Sequence, residues 1–187
     1  MIIADYQLKV YYVGALILLE AKTMNSLKYI KLAIFDFDDT LAVYKDKSYF
    51  DHRNEEDTFY LDAYLYPDIF YDEIAGAYPP EEMKSIVALC KLNKISMYCL
   101  SGMRFTLHLE AKKQFIKKHY GENVEVIATS SQERKIDVVK VLKQIHHCDF
   151  NEILFIDDYY DNIQRMKALG IHAIVSKEVQ TLIETEI

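Results

Sequence analysis

In Ala33-Ile34-Phe35-Asp36-Phe37-Asp38-Asp39-Thr40-Leu41 an apolar run passes straight into a cluster of carboxylates. The run begins at Leu32 and is apolar on both alternating faces. That is the pattern of a strand covered on two sides, as in a parallel sheet packed between helices. Open α/β sheets place their ligand sites at the carboxyl ends of such strands. A single Asp there often does no more than cap a turn or a helix. Here the pattern recurs far downstream. Ile153-Leu154-Phe155-Ile156 runs directly into Asp157-Asp158, with Asp161 and Asn162 just beyond. Buried carboxylates must be neutralised. A hard divalent cation with oxygen ligands does this, and Mg²⁺ takes few carboxylates together with substrate phosphate.

Working outward, the chain alternates short apolar runs with longer amphipathic segments. Strands are expected at Leu32–Phe37, Ile95–Leu100, Val124–Ala128, Ile153–Ile156 and Ile171–Val175. Helical spacing covers Glu81–Asn93, Phe105–Tyr120, Gln132–His146 and Tyr160–Leu169, the last ending at Gly170. In Gln132–His146 the expected apolar stripe is Ile136, Val139, Val141, Leu142 and Ile145. Alternating strands and helices predict an α/β domain with a doubly wound, Rossmann-like parallel sheet and right-handed crossovers. Residues from about 43 to 78 break the rhythm, being charged and rich in Tyr and Phe. They read as a small cap or lid inserted after the first core strand, its rings filling the cap's own core.

Two more residues fall where the same site would form. Met97-Tyr98-Cys99-Leu100 ends in Ser101-Gly102, whose hydroxyl and following backbone amides suit a phosphoryl oxygen. Lys135, at a helix start, would offset the carboxylates and the incoming phosphate. Arg104 is a candidate grip on a second phosphate, and His52 and Arg53 are lid candidates for substrate contact.

Asp36-x-Asp38-x-Thr40, Ser101, Lys135 and Asp157-Asp158 stand in one order along the chain. In that order the sequence resembles the haloacid dehalogenase (HAD) superfamily, over about Lys31 to Val175. The resemblance implies a HAD-like core and a phosphohydrolase mechanism. By it, Asp36 attacks phosphorus to form an aspartyl-phosphate, and Asp38 acts as general acid, then base. Ser101 and Lys135 complete the catalytic set, and Thr40, Gly102 and Arg104 serve substrate binding. Mg²⁺ would be held by Asp36, by the backbone carbonyl of Asp38 and by Asp157 and Asp158, with Asp158 preferred as the direct ligand. Asp at position 38 fits the phosphatases and phosphotransferases of that superfamily, and argues against its dehalogenases and its ion pumps. Many relatives carry Gly where Asp157 stands.

Composition narrows the partners. The chain has 187 residues, 51% of them apolar, enough for one domain with a sizeable core. Acidic residues outnumber basic ones, 29 to 22, for a formal charge of −7. Nucleic acid is therefore disfavoured, and the resemblance implies a small phosphorylated substrate such as a nucleotide or sugar phosphate. Three scattered cysteines without CxxC pairing suit a reduced, cytoplasmic setting. No apolar run approaches the ~18 residues of a membrane span. Residues 1–30 read as an N-terminal extension of unassigned role, and 31–187 as the catalytic domain. The extension holds Val10–Leu19, the length of a signal-peptide core but without a convincing cleavage site. A natural start at Met24, or an added strand or helix, would equally explain it. His146-His147-Cys148 lacks a second pair at zinc-site spacing.

Rival readings remain distinct. A polynucleotide end phosphatase would need a local basic groove. A phosphorylatable receiver domain would carry its acidic pair early and its single phosphorylated Asp later, the reverse of this order. A silent HAD-like binding module would be expected to lack Asp36 or Asp38.

Overall fold

The first core strand lies at the centre of the sheet, and its residues explain why. In the computed structural model, which describes residues 27–46, 58–103, 108–132 and 134–185, β1 spans Leu32–Phe35, and all four side chains are fully buried. Successive side chains of a strand point to opposite faces. Leu32 and Ile34 accordingly enter one core cluster, while Ala33 and Phe35 enter the other. The remaining core strands are β4 (Ser96–Gly102), β5 (Val124–Thr129), β6 (Ile153–Asp157) and β7 (His172–Val175). All pair in parallel in the order β5-β4-β1-β6-β7. The expected strands are found within one or two residues of their predicted ends.

Helices cover both faces, as the double winding predicts. Helix α2 (Glu81–Leu92), α3 (Leu109–Tyr120) and α6 (Val179–Thr185) pack with Ala33 and Phe35. Helices α4 (Lys135–Ile145) and α5 (Tyr160–Lys167) cover Leu32, Ile34 and Phe155. In α2 the five apolar positions of the helical pattern, Met83, Ile86, Val87, Leu89 and Cys90, are all buried. Past α5, Gly170 takes φ 85°, a conformation that suits glycine, and its N–H bonds to the Lys167 carbonyl.

Two expectations need correction. The apolar stripe of α4 is narrower than predicted: Val139 and Leu142 are buried, but Val141 is 53% and Ile145 60% exposed. These two lie off the face that meets the sheet, and Lys135 takes a buried place on that face instead. The insertion also departs from the expected cap. Its described parts are β2 (Val43–Tyr44), α1 (Thr58–Leu65), a five-residue π-helical turn (Phe70–Ile74) and β3 (Ala77–Tyr78), which pairs antiparallel with β2. Tyr44, Tyr60, Phe70 and Tyr71 do not build a separate core but join the domain's own cluster. Tyr71 stands edge-on to Phe37 and to Phe115, at ring distances of 4.7 and 5.9 Å. Tyr64, Tyr66 and Tyr78 face outward.

Of the N-terminal extension only Leu27–Ile30 is described, and Leu27 and Ile30 reach the core. The rest of it, with Val10–Leu19 and Met24, lies outside the described residues, as do Arg104, His52 and Arg53. Among the described residues, no helix is long and apolar enough to cross a membrane.

Candidate active site

Parallel pairing brings the ends of β1 and β6 side by side. The Asp36 N–H donates to the Ile156 carbonyl at 2.8 Å, so Asp36 and Asp157 leave the sheet next to each other. After Asp36 the chain turns tightly. Asp39 has φ 52°, a left-handed value that Asp tolerates better than most residues. The N–H groups of Thr40 and Ala42 both donate to the Phe37 carbonyl. This turn lifts Asp38 over the sheet's edge, half-exposed, while Asp36 stays buried.

Two lysines organise the carboxylates. Lys135, the first residue of α4, is fully buried. Its ammonium lies 2.7 Å from Asp36 Oδ1 and 2.8 Å from Asp157 Oδ2. Lys112, in the first turn of α3, is likewise fully buried. It donates to Asp38 Oδ2 at 2.8 Å and to Ser101 Oγ at 2.7 Å. Of the residues singled out in the sequence, Asp36, Lys135 and Asp157 thus form one cluster. Asp38 and Ser101 are joined by a lysine that sequence reasoning missed. A signal was present: Lys112 lies three and four positions before Phe115 and Ile116, on the apolar stripe of its helix. A lysine on such a stripe must find a buried partner.

Asp157 is held on every side. Its Oδ1 accepts from the Tyr159 N–H, and its Oδ2 accepts from Lys135 and from Asn162 Nδ2 at 3.0 Å. Asn162 Nδ2 also donates to Gln132 Oε1. Gln132 packs on Gly102, where a Cβ would meet its side-chain amide at 3.1 Å. Asp158 is exposed. Thr40 is buried, and its hydroxyl has no hydrogen-bond partner among the described residues. It borders a cavity of about 410 Å³ that also touches Asp158, Tyr78, Glu82 and Lys177.

The carboxylates crowd one another. Burial pushes the Asp36 carboxyl up to about 7; Lys135 opposes the rise, and Asp157 and Asp38 add to it. Burial works against the Lys135 charge, but Asp36 and Asp157 outweigh it and hold the ammonium up at about 12. Desolvation, then Asp157 and Asp39, raise Asp158 to about 6. Such shifts belong to a site short of positive charge. Carboxylate oxygens of Asp36, Asp157 and Asp158 lie within 4.8 Å of one another. A set of hard oxygen donors at this spacing fits Mg²⁺.

No protein-family model matches the chain, and no curated protein matches it. Among solved structures it is similar to a HAD family enzyme from Bacteroides thetaiotaomicron. One structure of that enzyme shares 20% identity, covering 78% of this chain and 93% of the other, with a TM-score of 0.46. The wild-type enzyme in complex with magnesium and inorganic phosphate gives 19% identity, the same coverages and a TM-score of 0.47. Its magnesium complex gives 19% identity over 78% and 92%, with a TM-score of 0.41.

Proposed function

We propose that the chain is a Mg²⁺-dependent phosphomonoester hydrolase that works through an aspartyl-phosphate on Asp36. One observation carries this reading. Lys135 bridges Asp36 and Asp157 at the ends of adjacent strands, with Asp158 close enough to share a cation. A cluster of three carboxylates, Asp36 and Asp157 buried and Asp158 exposed, with one buried lysine is short of positive charge, and a divalent cation supplies what is missing.

Asp36, Asp158 and the Asp38 backbone carbonyl would hold Mg²⁺, with Asp157 beside them. When bound, Mg²⁺ neutralises phosphate oxygens and keeps the carboxylates ionised. Lys135 holds the Asp36 carboxylate in place for attack on phosphorus. Asp38 gives its proton to the departing oxygen, then takes one from the water that cleaves the aspartyl-phosphate. Ser101, and Thr40 with its unused hydroxyl, are the groups we assign to hydrogen-bond the substrate. Gly102, next to Ser101, lets Gln132 pack close against the end of the strand. The 410 Å³ cavity beside Asp158 suits a small leaving group such as a sugar or nucleoside. Three buried free thiols accord with a reduced, cytoplasmic setting.

The test is phosphate release from nucleotides, sugar phosphates and 3′- and 5′-phosphorylated oligonucleotides, with and without Mg²⁺. The expected result is metal-dependent turnover of small esters by the wild type and none by Asp36→Asn. Turnover that survives the substitution would refute the nucleophile. Turnover confined to the oligonucleotides would replace the small substrate with a polynucleotide end.

A further inference from the structure

Lys112 has no part in the reading above, yet it is one of the two fully buried lysines among the described residues. A buried ammonium persists only when its donors are satisfied and its charge is met. Here it is met three ways. Lys112 Nζ donates to Asp38 Oδ2 at 2.8 Å and to Ser101 Oγ at 2.7 Å, and lies 4.4 Å from the centroid of the Phe37 ring. That ring is backed by Tyr71 and Phe115, so water is excluded from the far side of the charge. The other oxygen of the same carboxylate, Asp38 Oδ1, accepts from the Tyr44 hydroxyl at 2.7 Å. Asp38 is therefore clamped from two sides, by a core helix and by the first strand of the insertion.

Resting on the hydrolase reading, we infer that Lys112 and Tyr44 are positioning residues that aim the Asp38 carboxyl at the leaving oxygen. They are not assigned as phosphate ligands, because Lys112 Nζ is turned onto Asp38, Ser101 and the Phe37 ring and the Tyr44 hydroxyl onto Asp38. Each oxygen of a carboxyl has two lone pairs. One on each accepts from the clamp, Oδ1 from Tyr44 and Oδ2 from Lys112. As the Asp36–phosphorus bond forms, the bond from phosphorus to the leaving oxygen breaks. That oxygen takes the proton of Asp38, and the attacking water later returns one. The Lys112 bond to Ser101 fixes the hydroxyl in the same frame, so acid and hydroxyl keep one geometry. In a low-dielectric surround such charge-assisted bonds are strong and directional.

A group that aims the acid matters most where the leaving group needs its proton. The experiment compares an alkyl phosphate with 4-nitrophenyl phosphate, whose phenolate departs without one. The proteins are the wild type, Lys112→Met and Tyr44→Phe, each checked for folding by circular dichroism. For Lys112→Met we expect kcat on the alkyl ester to fall on the order of a hundredfold. On the nitrophenyl ester we expect a fall of less than about tenfold, with KM for both nearly unchanged. Tyr44→Phe keeps the ring, and so stays folded if Lys112→Met does not; it should show the same split on a smaller scale. Equal losses on both esters, or no loss in folded variants, would overturn the inference and leave the hydrolase reading standing. A wild type inert toward both esters in Mg²⁺ would refute the hydrolase reading and take this role with it.

Discussion

Asp36→Asn should make the metal-free protein more stable, and increasingly so as pH rises. In the folded chain the Asp36 carboxyl is held up to about 7, first by burial and then by Asp157 and Asp38 against the pull of Lys135. In the unfolded chain an aspartate titrates near 3.9. Between those values the folded state keeps a proton that the unfolded state has released. The unfolded state then binds fewer protons, so stability falls as pH rises. The fall is complete a little above pH 7. About three units at ~1.4 kcal/mol each give a loss on the order of 4 kcal/mol. Asn at position 36 has no proton to lose, and the other carboxylates are common to both proteins. The stability gap between variant and wild type should therefore widen by up to that amount from pH 4 to pH 8. Urea unfolding in the presence of a chelator, at a series of pH values, measures it. Adding Mg²⁺ should then narrow the gap. At a hundred times its dissociation constant a ligand adds about 2.7 kcal/mol to the state that binds it, and only the wild type keeps the Asp36 carboxylate. Parallel pH curves for the two proteins would refute the crowding of carboxylates on which the site is built.

Other perturbations follow from the same contacts. Lys135→Met leaves Asp36 and Asp157 buried without their shared cation, which should destabilise by roughly 3–5 kcal/mol in chemical denaturation. Adding Asp36→Asn to it should recover part of that loss, because neighbouring substitutions do not add. Tyr120→Phe removes the 2.6 Å bond to the Leu41 carbonyl that braces the turn carrying Asp38. A loss of about 1–2 kcal/mol in thermal or urea unfolding is expected. Burial pushes the Cys90 thiol up to about 12 and raises Cys99 further. Neither should react with iodoacetamide at pH 8 in the folded protein, and both should react in urea, as read by peptide mass.

The strands were legible because a doubly buried strand has to be apolar throughout. Leu32–Phe35 and Ile153–Ile156 can be read from composition alone. The carboxylates that end them were legible for the same reason, since charge at the end of an apolar run is conspicuous. Lys112 was missed although helical spacing puts it on the apolar stripe of its helix, because a lysine is by default read as solvated and its partners, Asp38, Ser101 and the Phe37 ring, come together only in tertiary packing. Tyr44 belongs to a strand of two residues, too short to show any period. The insertion's aromatics announced a hydrophobic cluster but not its owner. Tyr71 chose the main core because Phe37 and Phe115 present their rings there, and Phe70 packs edge-on against Tyr71. Val141 and Ile145 misled in the opposite sense, as apolar residues at helical spacing that the sheet does not reach.

The central claim is that Asp36 becomes covalently phosphorylated. The most direct measurement mixes the protein with a phosphomonoester and Mg²⁺, quenches in acid within the first turnover, and reads the mass of the peptide carrying Asp36. The account predicts one added phosphoryl group on that aspartate, labile to hydroxylamine and absent without Mg²⁺. Phosphate released at full rate from a peptide that never carries the group, or a group found on another residue, would contradict it.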